Sequence, residues 1–241
     1  MKATEFIINK IERLPKGYVF TYEDFINPAN SKESIIKALN RLVTSGKIEK
    51  LSKGKFYKVK NTVFGKLKPN INQVVKDLLE KDGKVIGYIT GYGIYNQLGF
   101  TTQVANTIQI AKNDVRPAIQ RGIYKISFVK QKNNITKDNI YLLQILDVIK
   151  NIKKIPDSSI DNSIKILLSL IDKLPEIKYK TLIRLSLKYP PSTRALLGAL
   201  LENLNKTDDL IKLRSSLNPI STYNIKISNN ILPTKTNWNI V

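Results

Sequence analysis

The order in which hydrophobic periodicity changes over roughly the first sixty residues constrains this chain more than any other feature. Residues 4–14 place Phe6, Ile7, Ile11 and Leu14 at helical spacing, and Pro15 stops that helix. Gly17-Tyr18-Val19-Phe20 then reads as a short strand after a Lys-Gly turn. Thr21, followed three residues on by Asp24, has the form of a cap, so residues 22–26 read as a short helix. Asn27-Pro28-Ala29-Asn30 turns the chain. A longer helix is expected over 31–45. Its buried stripe is Ile35, Ala38, Leu39 and Leu42, and Gly46 stands where a C-terminal glycine cap belongs. Either Asn30 with Glu33 or Ser31 with Ser34 caps its start. Two β-prone runs, 48–51 and 56–59, flank Ser52-Lys53-Gly54-Lys55, a tight turn whose glycine permits positive φ. Helix, strand, short helix, turn, helix, hairpin is the order of a winged helix-turn-helix, expected here at 1–62.

Beyond it, residues 61–70 read as a linker, with Gly65, Pro69 and several lysines. A helix over 71–81 has Val74, Val75, Leu78 and Leu79 on its apolar face. Strands are expected at 85–90, 107–111 and 124–130, with a short helix at 92–98 closed by Gly99. The remainder reads as helical over 139–152, 158–174, 177–187, 192–204 (capped by Ser192) and 208–213, before a last strand at 223–228. The fold class expected is α+β: a winged helix-turn-helix, then a larger mixed domain over 66–241 with a small sheet and a mainly helical C-terminal half.

Charge narrows the partners. The chain carries 40 Lys and Arg against 19 Asp and Glu, a formal charge of +21. Such a field attracts polyanions, so nucleic acid is the first partner to weigh; the competing explanation is drift toward the Lys, Ile and Asn of AT-rich coding. Position decides between them. Between Arg41 and Lys60 lie Lys47, Lys50, Lys53, Lys55 and Lys58, with Glu49 as the one acid. Cysteine and histidine are both absent, which removes disulfides, thiolate or imidazole zinc sites, thiol nucleophiles and histidine-based triads. No metal or cofactor is expected. The first fifteen residues are broken by Lys2, Glu5, Lys10, Glu12 and Arg13, and the most apolar stretch, 160–174, by Asp161, Lys165, Asp172 and Lys173. Neither suits a signal peptide or a membrane span, so a cytoplasmic protein without a membrane partner is expected.

With its apolar stripe turned inward, the 31–45 helix shows Ser34, Lys37, Arg41 and Thr44 along its outer face, flanked by Asn40. Ser31 and Lys32 lie at its N-terminal end, where such a helix meets phosphates or base edges. Asn and Arg read adenine and guanine bidentately, whereas Lys and Ser position the backbone. Lys53 and Lys55 flank the turn glycine at the expected wing tip. An ordinary solvated helix face and a lysine-protected edge hairpin are the plain alternatives. Catalytic signals are weak: Gly91-Tyr92-Gly93 lacks the third glycine of a dinucleotide fingerprint, and no phosphate-loop pattern occurs. Asp208-Asp209 and Glu80 with Asp82 have no metal-ligand companion at motif spacing. Ser192-Thr193-Arg194 reads either as a phosphate site at a helix start or as a plain capped helix.

These residues resemble a family. Gly17-Tyr18-Val19-Phe20-Thr21 with Asp24-Phe25, then Ala38-Leu39-Asn40-Arg41-Leu42-Val43, Gly46-Lys47-Ile48 and Gly54-Lys55-Phe56-Tyr57, look like the winged helix of AbiEi-type antitoxins. The likeness continues through Tyr88-Ile89-Thr90-Gly91 and Leu98-Gly99-Phe100-Thr101-Thr102-Gln103-Val104. It ends in Tyr189-Pro190-Pro191-Ser192-Thr193-Arg194-Ala195-Leu196-Leu197-Gly198-Ala199-Leu200. The resemblance implies the regulator half of an abortive-infection, type IV toxin–antitoxin pair of the kind used in phage defence. It further implies autorepression of an operon through double-stranded operator DNA, with two copies on an inverted repeat. A nucleotidyltransferase-like toxin would be countered directly or functionally by the C-terminal domain, with Thr101, Thr102, Gln103 and Arg194 as the expected partner surface. No enzymatic activity is expected. Two other classes stand beside this: a C-terminal domain that modifies a partner by phosphoryl transfer, and a toxin-binding protein without operator specificity.

Overall fold

The computed structural model describes residues 3–63 and 65–241. Met1, Lys2 and Phe64, which fall within the expected first domain and linker, lie outside the described residues. In chain order the elements are α1 (Ala3–Arg13), β1 (Val19–Phe20), a 3-10 turn (Tyr22–Phe25), α2 (Lys32–Thr44), β2 (Ile48–Ser52), β3 (Lys55–Lys58), β4 (Lys60–Thr62), β5 (Gly65–Leu67) and α3 (Ile71–Leu79). There follow β6 (Glu80–Lys81), β7 (Lys84–Val85), β8 (Gly87–Thr90), α4 (Tyr92–Gln97), β9 (Thr107–Lys112), β10 (Ile119–Arg121) and β11 (Tyr124–Lys130). Five helices complete the chain: α5 (Lys137–Asn151), α6 (Ile160–Asp172), α7 (Glu176–Ser186), α8 (Pro191–Asn203) and α9 (Leu210–Ser215), before a 3-10 segment at Pro233–Trp238. The fold class is α+β.

Two compact units divide the chain. The first comprises Met1–Leu78 and Ile119–Lys125. Its core is Ile7 and Ile11 of α1, Phe20, Phe25, the α2 stripe Ile35, Ala38, Leu39 and Leu42, and Ile48 and Phe56 of the hairpin. Phe20 packs edge-on against Phe25 at 5.4 Å between ring centroids. The three strands lie in the order β1-β3-β2, all antiparallel, with Phe20 opposite Phe56 and Ile48 opposite Lys58. Local chemistry sets the ends of the elements. Thr21 and Asp24 form a reciprocal capping box on the 3-10 turn. Ser31 caps α2 by accepting from the Ser34 amide at 3.2 Å. At the far end Gly46 takes φ +71, and its amide and that of Lys47 close on the carbonyls of Val43 and Leu42.

Residues 61–70 are not a bare linker. β4 and β5 pair there as a second hairpin, Asn61 opposite Lys66 and Thr62 opposite Gly65, and β5 opens on Gly65 with a positive φ. The division also falls later than the 62/66 boundary read from the sequence. α3 buries Val74, Val75 and Leu78. Arg121 clamps it within the first unit, meeting Asp77 through both guanidinium nitrogens at 2.6 and 2.7 Å and donating to the Val74 carbonyl.

The second unit comprises Leu79–Ala118 and Ile126–Val241. β8 and β9 pair antiparallel with Ile89 opposite Ile110, and β9 lies between β8 and β11. α5 to α9 supply most of the core. α8 is buried nearly all round, Ala195 to Leu201 without interruption, as suits a helix at the centre of a helical layer. Its start is Pro191 with Pro190 in the cap position, so Ser192 is not the cap. The expected strand at 223–228 forms no ladder. Tyr223 bridges Ile240, Ile225 donates to the Val241 carbonyl, and no further strand among the described residues continues the pairing, although Tyr223, Ile225 and Ile227 alternate into the core. Among the described residues no helix is long and apolar enough to cross a membrane.

Candidate nucleic-acid interface

The first unit concentrates positive charge: it holds 18 Lys and Arg against 7 Asp and Glu, the larger second unit 22 against 12. Burial of Ile35, Ala38, Leu39 and Leu42 leaves Lys37, Asn40, Arg41 and Thr44 exposed on the opposite face of α2. Lys37 and Arg41 enter no ion pair among the described residues. The remaining polar groups of the helix are partly occupied by its own backbone. The Ser34 hydroxyl donates to the Ser31 carbonyl at 2.7 Å, and the Thr44 hydroxyl to the Asn40 carbonyl at 3.2 Å. Ser31 keeps its hydroxyl proton while its oxygen caps the helix. Lys32 lies over the Tyr22 ring, 4.8 Å from its centroid. Lys37, Asn40 and Arg41 are therefore a row of exposed side-chain donors on α2, with Lys32 at its start turned over the Tyr22 ring.

On the hairpin the two turn lysines separate. Lys53 is exposed beside Gly54, which takes φ +73 at the tip. Lys55 is half-buried and reaches Asp77 at 3.1 Å. That contact withdraws it from the surface expected to meet DNA. Asp77 is shared between Lys55 and Arg121. Burial raises its pKa, but the Arg121 and Lys55 contacts outweigh this and leave it below the ordinary carboxylate value. Lys58 is also committed, donating to the carbonyls of Glu12 and Leu14 at the end of α1. Lys47 and Lys50 stay exposed.

The β4–β5 hairpin adds cations to a stretch that reads as a linker in the sequence. Lys60, Lys66 and Lys68 are exposed on or beside it. Lys66 ties it to β2 through Glu49 at 2.8 Å, and Glu49 also accepts from the Tyr57 hydroxyl at 2.7 Å. These two donors, Lys66 before Tyr57, hold Glu49 below its ordinary pKa.

In the second unit the expected partner residues scatter. Thr102 and Gln103 are exposed on the loop after α4. Thr101 is buried, its hydroxyl accepting from the Gln103 amide and its carbonyl from Asn96. Arg194 points into α8's own surroundings, donating to the Ser216 carbonyl at 2.9 Å. That bond commits part of its guanidinium to structure within the second unit.

The elements and their small sheets make this an α+β chain. The profile of a family of unknown function, DUF6088, matches residues 6–178, and the chain belongs to that family. Among curated proteins none matches it. Among solved structures the chain is similar to the RV2827C protein from Mycobacterium tuberculosis, with a TM-score of 0.55 and 12% identity over 92% of this chain and 84% of that one. At that identity the likeness speaks for the fold.

Proposed function

We propose that this chain is a sequence-specific DNA-binding repressor whose first unit acts as a winged helix-turn-helix. The observation that carries the reading is the exposed row of Lys37, Asn40 and Arg41 on α2, in the same unit as Lys47 ahead of the hairpin and Lys50 and Lys53 on it, which enter no ion pair among the described residues. A helix of this kind enters the major groove, where Arg pairs with guanine and Asn with adenine through two hydrogen bonds each. The hairpin lysines neutralise phosphates and release counterions, which gives affinity without sequence preference.

The resemblance of residues 98–104 and 189–200 to AbiEi-type antitoxins supports the larger reading. In it the chain is the cytoplasmic antitoxin of a type IV pair, represses its own operon in two copies on an inverted repeat, and counters a nucleotidyltransferase-like toxin without catalysis of its own. A mobility shift of the full chain against DNA upstream of its reading frame tests the first part. Affinity should exceed that for a shuffled duplex by about a thousandfold or more; equal affinities would leave only non-specific attraction. Co-expression with the product of the adjacent gene tests the second: growth should be restored by this chain and not by a vector control.

A further inference from the structure

The second unit contains a cleft of about 540 Å³, a size that suits a small-molecule ligand. Four lysines line it: Lys130, Lys132, Lys150 and Lys188. The one acid at its floor, Asp147, is 8% exposed. Its carboxylate is already occupied, accepting from Thr90 at 2.7 Å and from Tyr88 and Tyr189 at 2.8 Å each. Gln131 donates its amide to both phenol oxygens, so the phenol protons are committed to Asp147. None of the four lysines enters an ion pair among the described residues. Lys188 and Lys130 rest on the carbonyls of Lys132 and Asn113, which leaves their charge uncompensated.

Four cations facing one concavity repel one another, and the single carboxylate among them, which feels the charge of Lys150, offsets only part of that excess. An anion in the cleft would relieve that repulsion. Two further features share the site. The 13-residue α8 starts at its rim, so the positive end of its dipole faces the site, although Pro191 has no amide proton and the Thr193 and Arg194 amides already donate to the Pro190 carbonyl. Leu187, Pro190 and Pro191 give the cleft an apolar wall beside the cationic one. We propose that this cleft binds a phosphate-bearing small molecule of nucleotide size, its phosphates on Lys132 and Lys150 and its flat apolar part against Leu187 and Pro190. The proposal is independent of DNA binding by the first unit.

Calorimetric titration of the full chain with ATP, inorganic pyrophosphate and adenosine tests it. ATP should bind at one per chain, pyrophosphate more weakly, and adenosine not measurably. Lys132→Ala with Lys150→Ala should weaken ATP by about tenfold or more without lowering the thermal midpoint of the unliganded protein, and the double Arg variant should recover most of the loss. Lys37→Ala with Arg41→Ala should leave ATP binding unchanged. A short 5′-phosphorylated oligonucleotide separates the two sources of phosphate: the cleft variants should bind it as the wild type does. Several ATP molecules per chain with equal affinity in wild type and double Ala variant would overturn the proposal, as would loss of oligonucleotide rather than ATP binding.

Discussion

At the scale of single residues the first unit depends on how Asp77 is shared. Its lowered pKa means that the folded state favours the carboxylate, so its contribution is present above the ordinary value of 3.8 and fades as pH falls through the lower folded value. Urea titrations of the wild type should show stability declining below about pH 4, and Asp77→Asn should flatten that decline while lowering stability at pH 7. An acid limb identical in both proteins would remove Asp77 from the account. The same geometry separates Lys53 from Lys55. Lys53→Ala should reduce the slope of log affinity against log salt by about one and leave stability alone. Lys55→Ala should do the opposite, destabilising the unit and sparing the slope; equal slopes lost in both variants would contradict the assignment. In the second unit, Asp147→Ala would strand three buried hydroxyls that now donate to it. A loss of about 3 kcal/mol or more in unfolding free energy is expected, since each unsatisfied buried polar group costs about 1–3 kcal/mol. Chemical denaturation of that variant measures it directly.

Among the elements, α8 is the least tolerant. A Cβ built on Gly198 would stand 2.3 Å from the Trp238 ring, and the Trp238 indole is pinned by donating to Glu202 at 2.6 Å. Gly198→Ala should therefore destabilise the chain by about 1–3 kcal/mol through overpacking, although alanine is the better helix former. A raised melting temperature would show that the ring moves freely, against this packing. Elements whose signals are local are legible in the amino-acid sequence. Thr21 with Asp24, Ser31, Gly46 and Gly54 mark the ends of the 3-10 turn, α2 and the β2–β3 hairpin, each through groups only a few residues apart. Elements decided by distant partners are not. The 60–67 segment has the composition of a linker because its lysines mask an edge hairpin held by Glu49. Residues 223–228 alternate as a strand does, yet a strand needs a neighbour, and residues 239–241 offer only a short one. α3 follows Arg121, 44 positions away from Asp77, which no periodicity reveals. At the candidate interface the outward row of α2 follows from its buried stripe. The diversion of Lys55 and the inward turn of Arg194 do not, because each depends on one tertiary contact.

At the scale of the whole molecule the +21 charge is not one undifferentiated field. Part of it serves structure, as at Lys55, Lys58 and Arg121; part lies exposed on α2 and the two hairpins of the first unit; part gathers at the cleft over Asp147. Non-specific attraction would follow total charge, whereas a regulator must place a few cations against base edges. The central claim is that α2 is such a reading surface. Affinities of the wild type and of Arg41→Ala, measured on the upstream duplex and on a set of single base-pair substitutions in it, test that claim most directly. If α2 reads bases, one position will cost the wild type about 1–3 kcal/mol and cost Arg41→Ala nothing further, while the other positions affect both proteins alike. If Arg41→Ala loses the same affinity on every duplex, or none on any, α2 does not read sequence.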